Sequence, residues 1–237
     1  GAQELLGIQS EEVVRVPDRE QPTETPSDPP TETPPPVTET PSPPPTETPS
    51  QPDVSATAYY TFEGTGERLI DRSENNHNGQ LNNAQRISGS TGKGLAFDRD
   101  RATYATLGSP GELTPGSGSF TISLRFQTTN TIGAGNQNKQ RLLAIRDGSN
   151  ERVVITIKGE EPRVTASLSE GGYSPDAVGA DSNAMHADGE WHHIVLQRDM
   201  ADRQIRLYVD GNQVDRAEVT QVTINPGAPV YLGAQPE

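Results

Sequence analysis

The densest run of oxygen-bearing side chains is Asp71-Arg72-Ser73-Glu74-Asn75-Asn76-His77-Asn78-Gly79. Asp71, Asn75 and Asn76, with Glu63 upstream and Asp98 and Asp100 downstream, offer the carboxylate and amide oxygens that Ca2+ takes, roughly 6–8 at a time in loose geometry. The run is not an EF-hand loop, because no glutamate closes it at the twelfth position. The same residue types also build tight turns by accepting nearby backbone N–H groups. Asp98 and Asp100 stand at i and i+2, so on a strand they share a face, as the two carboxylates of a glycoside hydrolase must. Arg99 and Arg101 flank that pair, and Glu160-Glu161 sits in a turn before Pro162. No strand carries an interior acidic ladder, and serine-nucleophile motifs, phosphate-cradling glycine loops and thiolates are missing. The expectation is a protein that is not an enzyme.

Trp191-His192-His193 invites a zinc or catalytic reading. Adjacent residues on a strand point to opposite faces, so the two histidines cannot share one ion. Trp191, His193 and Val195 fall on one face, and His192, Ile194 and Leu196 on the other. Both faces are largely apolar, which predicts satisfied core residues. His77 and His186 fall in predicted loops without zinc-ligand spacing. Sugar platforms rely on exposed aromatic faces, and aromatic residues make up only 5% of the chain. Tyr173, in the glycine-rich stretch 169–185, and Tyr208, which points away from Ile205, Leu207 and Val209, are the candidate ligand-binding residues. The long polar stretches 128–140 and 169–185 are where a rigid scaffold tends to carry a site.

Holding these residues in place falls to strands. Phe120-Thr121-Ile122-Ser123-Leu124-Arg125-Phe126 and Ile205-Arg206-Leu207-Tyr208-Val209 alternate without a fault, the period-two pattern of a half-buried strand. Further strands are predicted at 59–62, 95–97, 142–145, 153–157, 164–168, 191–196 and 230–232. Asp210-Gly211 between alternating runs is a hairpin signal. No stretch shows a helical period. Many short strands with regular turn signals predict an all-β antiparallel sandwich.

Composition divides the chain. Residues 22–52 hold 13 of the 21 prolines, and Thr-Glu-Thr-Pro recurs four times there. Proline fixes φ and removes a donor, so this segment is expected to be an extended spacer. Three parts result: a strand-like head (1–21), a Pro/Thr/Glu-rich linker (22–53) and a body (54–237). Residues 1–53 carry 11 acids against 2 bases, and residues 54–237 carry 22 against 17. Such acidity opposes binding to phosphate backbones and anionic lipid surfaces. With no cysteine, a disulfide scaffold and thiolate metal sites are excluded. No apolar run approaches the roughly 20 residues of a membrane span.

The order of signals in the body resembles a known family. Tyr59-Tyr60-Thr61-Phe62-Glu63-Gly64, the Asp71 to Gly79 run, Gly92-Lys93-Gly94-Leu95-Ala96-Phe97-Asp98, Gly118-Ser119-Phe120-Thr121-Ile122-Ser123, Asp188-Gly189-Glu190-Trp191-His192-His193, Leu207-Tyr208-Val209-Asp210-Gly211 and Val230-Tyr231-Leu232-Gly233 are similar to the laminin-G-like, concanavalin-A-like jelly rolls. The resemblance implies two packed antiparallel sheets and an extracellular or cell-surface binding role, often with calcium, after removal of a signal peptide. The ligand it implies is a polysaccharide or an extracellular protein.

Family members usually continue into a last strand beside their first, whereas this sequence ends at Glu237. Residues 4–16 look like that ending, with Leu5, Leu6, Ile8, Val13, Val14 and Val16 as its apolar positions. The expectation is that they fill the open position beside 59–62, in their own body or in a neighbour's. Donation to a neighbour gives head-to-tail homopolymers, so a fibre subunit is the alternative function.

Overall fold

Strands are the only regular elements among the described residues, and alternation of polar with large apolar side chains accounts for β7, β10 and β13. The computed structural model describes residues 6–9, 56–98, 101–108, 113–129, 140–147, 150–158, 162–169, 176–179, 185–219, 223–224 and 227–233. The chain divides into two compact units, Gly1–Glu11 with Ala56–Glu237, and Glu12–Ser55. All described residues belong to the first. The proline repeats and Leu5, Val13, Val14 and Val16 lie outside the described residues.

In chain order the strands are β1 (Leu6–Gln9), β2 (Arg68–Leu69), β3 (Gly79–Asn82), β4 (Gln85–Ser88), β5 (Lys93–Phe97), β6 (Tyr104–Leu107), β7 (Phe120–Gln127), β8 (Gln140–Asp147), β9 (Asn150–Lys158), β10 (Arg163–Leu168), β11 (Asp176–Gly179), β12 (Trp191–Asp199), β13 (Gln204–Val209), β14 (Asn212–Glu218) and β15 (Val230–Gly233). Seven form one sheet in the order β14-β13-β12-β7-β1-β5-β4, and eight form the other, β11-β10-β9-β8-β15-β6-β3-β2. The two antiparallel sheets face each other as the all-β jelly-roll sandwich that the alternation predicts. Leu124, Phe126, Ile194, Leu196, Ile205 and Leu207 of the seven-stranded sheet share one core with Ile145, Ile155, Ile157, Val164, Leu168 and Leu232 of the other. Each such side chain contributes about 1.5–3 kcal/mol by leaving water. Asp210 and Gly211, at φ +51° and +79°, make the primed two-residue turn between β13 and β14, whose twist matches that of the strands.

Two expectations are corrected. Residues 59–62 do not form a strand: Tyr60 makes an isolated bridge to Asp71, and Phe62 at φ +59° leaves the extended region. The position taken by Leu6–Gln9 is not beside 59–62 either. It lies between β5 and β7, with Ile8 opposite Leu95 on one side and Phe126 on the other. β1 meets only Arg125, Phe126 and Gln127 of β7. Alongside the rest of β7 runs an apolar cavity of about 410 Å³ lined by Tyr60, Phe62, Ile122, Leu143 and Val230 among others.

Candidate functional site

The outward faces of the sheets follow from which residues turn in. On β6, Ala105 and Leu107 are buried, so Tyr104 and Thr106 face out. On β15, Val230 and Leu232 are buried and Tyr231 faces out. Antiparallel register sets Tyr231 opposite Thr106 and Gly233 opposite Tyr104. Gly233, at φ +77°, has no room for a Cβ against the Phe97 ring. The two half-exposed tyrosine rings meet edge to face, with centroids 6.0 Å apart and planes at 67°. Arg141 stands opposite buried Thr156, and Arg146 stands opposite Glu151 after a register shift in β8. Lys158 follows buried Ile157, and Arg163 precedes buried Val164. Arg141 Nε and Nη2 both lie 2.6 Å from Glu151 Oε1.

Tyr208 lies on the outer face of the other sheet, opposite Val195 and Gln213. Nearby, Ser123 Oγ is 2.8 Å from His193 Nε2. Arg206 is held by Asp199 at 3.2 Å and by Asp202 at 2.5 Å. Tyr173 lies outside the described residues.

His192 faces inward beside the Phe126 ring, as alternation predicts, but its surroundings are not apolar. Its Nδ1 is 2.8 Å from Asp210 Oδ2 and its Nε2 is 3.1 Å from Asp188 Oδ1. The hairpin turn delivers Asp210, whose other oxygen accepts the His193 N–H at 2.8 Å. Burial alone would lower the His192 pKa, yet the hydrogen bonds and negative charge of the two carboxylates outweigh it and raise it above the ordinary value. Buried His186 stands edge-on, 4.9 Å away. Burial, then the neighbouring His192, pushes its pKa down. This is a charge-relay-like contact without a nucleophile, and it ties the 188–190 turn to the β13–β14 hairpin.

Asp71 is 5% exposed and accepts from Tyr59 N–H, Ser73 N–H and His77 N–H, each at 2.8 Å, and from the Ser73 hydroxyl at 2.7 Å. Burial would raise its pKa, but these donors outweigh that and hold it below the usual carboxylate value. Asn75 donates to Thr57 O at 3.0 Å, and Asn76 takes φ +59° in the same turn. Glu63 accepts the Lys93 N–H at 2.8 Å, and Asp98 pairs with Arg101 at 3.4 Å. Asp100 lies outside the described residues. Of the proposed calcium ligands that are described, Asp71, Asn75 and Asn76 share one turn, while Glu63 and Asp98 are engaged elsewhere. Among the described residues no three acidic or histidine side chains gather to hold a metal ion.

Sequence reasoning did not single out Tyr104 and Tyr231 as a pair. The Tyr-Ala-Thr-Leu alternation at 104–107 carries the signal, and Gly233 opposite Tyr104 fixes where the second ring falls.

No curated protein matches the sequence. Among solved structures, the chain is similar to laminin α1 domains LG4-5 from mouse, with 22% identity, TM-score 0.38, and coverage of 52% of this chain and 33% of that one. It is similar to the binding domain of botulinum neurotoxin DC in complex with SialylT, with 16% identity, TM-score 0.53, and coverage of 70% and 40%. It is also similar to domain 4 of AbnA, a GH43 extracellular arabinanase from Geobacillus stearothermophilus in complex with arabinotriose, with 14% identity, TM-score 0.50, and coverage of 70% and 77%. The match spans less than half of the laminin and neurotoxin chains. A family model for the concanavalin A-like lectin/glucanases superfamily matches residues 99–237. The chain belongs to the concanavalin A-like lectin/glucanases superfamily.

Proposed function

We propose that this protein is a non-catalytic, extracellular recognition module whose ligand surface is the outer face of the eight-stranded sheet and whose ligand is a polysaccharide. The observation that carries the reading is the edge-to-face pair Tyr104–Tyr231, two half-exposed rings fixed by register on a rigid sheet. Aromatic faces stack on sugar C–H groups, and rings held by neighbouring strands lose little entropy on binding. Glu63, Asp71, Asp98, Glu151, Asp199, Asp202 and Asp210 are engaged in turns and ion pairs, which favours holding a ligand over hydrolysing it. The arabinotriose complex of the AbnA domain supports the ligand class.

The test is a glycan array followed by calorimetry on the full chain. The double variant Tyr104→Ala/Tyr231→Ala is expected to bind any captured glycan about tenfold or more weakly, a loss of about 1.4 kcal/mol. Undiminished binding by that variant, or turnover of the glycan, defeats the reading.

A second reading, a fibre subunit, is favoured by the interior place of Leu6–Gln9 in a sheet whose neighbours lie far along the sequence. Exchange of that strand between copies would build polymers. Size-exclusion chromatography of the chain lacking residues 1–21 decides it: a protein as stable and as monomeric as the parent removes the reading.

A further inference from the structure

We infer that the glycan taken by this face is uncharged, and that Gln80, Asn82 and Thr106 select it by hydrogen bonds to its hydroxyl groups. The inference rests on the reading of the Tyr104–Tyr231 face as the ligand surface. Strands β15, β6 and β3 are neighbours in the eight-stranded sheet. Val230–Gly233, Tyr104–Leu107 and Gly79–Asn82 include no charged residue, in a chain of which 22% is charged. Leu81 is buried in the core, so Gln80 and Asn82 turn to the same outer side as Tyr104 and Tyr231. Pairing without a register shift sets Gln80 opposite Thr106 and Thr106 opposite Tyr231. The same pairing sets Asn82 opposite Tyr104. Each ring is thus followed across the sheet by an amide or hydroxyl side chain. Gln80 is exposed, and Asn82 and Thr106 are partly so. Among the described residues, no hydrogen bond engages these three side chains.

An amide or a hydroxyl both donates and accepts, as a sugar hydroxyl does, whereas a carboxylate only accepts. Tyrosine rings cover the C–H face of a sugar, and the amides take the hydroxyls at its rim. The chain's formal charge of −14 repels an anionic polymer, and these three strands set no cation against it. Charge begins at the edges of the patch, with Arg68 of β2 opposite Gln80 and with Arg141 of β8, paired to Glu151.

The experiment is calorimetry of the full chain with neutral glucan, mannan, galactan and arabinan oligosaccharides, the hexose chains each beside the form oxidised to the uronate at C6. The expected result is binding to at least one neutral chain about tenfold or more tighter than to any uronate. That binding should fall about fivefold on Gln80→Ala or Asn82→Ala, the loss of a hydrogen bond, with unchanged melting. Arg68→Gln should change it less than about twofold. Gln80 is exposed, so its variant tests the idea even if Asn82→Ala folds poorly. A uronate that binds as tightly as its neutral parent overturns the inference, as does full affinity in both amide variants or a matching loss on Arg68→Gln. Each of these leaves the polysaccharide reading standing so long as Tyr104→Ala/Tyr231→Ala weakens binding. Binding to no glycan of either kind overturns both.

Discussion

The two sheets bury the same kinds of side chain but differ in the polar and aromatic groups they hold. On the seven-stranded sheet and its turns, charge meets charge from the same chain. Arg206 lies between Asp199 and Asp202, and His192 between Asp188 and Asp210. On the eight-stranded sheet, Arg141 pairs with Glu151, and the half-exposed rings of Tyr104 and Tyr231 meet edge to face on the outer side. An internally matched group is desolvated in exchange for a fixed partner, so removing it is felt in stability. A half-exposed ring pair keeps its faces for something outside the chain, so removing it is felt in binding.

The largest effect is expected where matching is most complete. Asp71 accepts four hydrogen bonds at the edge of the sandwich. Asp71→Ala strands those donors and should cost about 2–3 kcal/mol, read from urea unfolding, with glycan affinity unchanged. Its carboxyl pKa is depressed in the folded protein, so this stabilisation is present above the ordinary value near about 4 and is lost as pH falls through the depressed one. A variant that unfolds like the wild type shows that the turn is held by its backbone alone.

Next in size is the contrast between faces. Tyr104→Ala/Tyr231→Ala should weaken binding about tenfold or more, while Tyr208→Ala on the other sheet should change it less than about twofold. Both variants should melt close to the parent, because all three side chains face outward. Equal losses from the two faces would erase the distinction and point to a ligand that wraps the sandwich.

Much of this was legible in the sequence, and the rest was hidden for identifiable reasons. Phe120 to Phe126 and Ile205 to Val209 alternate strongly enough to name their own strands and inward faces. The Asp210-Gly211 turn was readable because its two residues tolerate positive φ. Gly79-Gln80-Leu81-Asn82 and Gln85-Arg86-Ile87-Ser88 carry one apolar residue apiece, so nothing local marks them as strands. Their extended form comes from pairing with β6 and β5. Tyr104 and Tyr231 lie far apart in the chain, and only the β6–β15 register brings them together. The Asp188–His192–Asp210 cluster escaped notice for a similar reason: its acids belong to two turns, and the strand pattern alone marks His192 as a core residue.

The smallest expected effect is also the one that depends on pH. His192 donates to Asp210 and Asp188 from both nitrogens only when it is protonated. Its folded pKa is raised above the ordinary value of about 6.5. The stabilisation is therefore fully present below that ordinary value and is lost as pH rises through the raised one. The groups facing the ring are Asp188, Asp210, His186 and the Phe126 ring. His186 works against the effect in acid, since it is buried and must charge beside an imidazolium. Asp210→Asn keeps an oxygen for the His193 N–H and a residue that accepts positive φ, so the hairpin should survive. Its cost should be about 1 kcal/mol near pH 6 and should shrink towards nothing near pH 9, measured by unfolding at both. An equal cost at the two pH values would mean that His192 holds its neighbours as a neutral ring, and that the matching of charge on this sheet is weaker than its geometry implies.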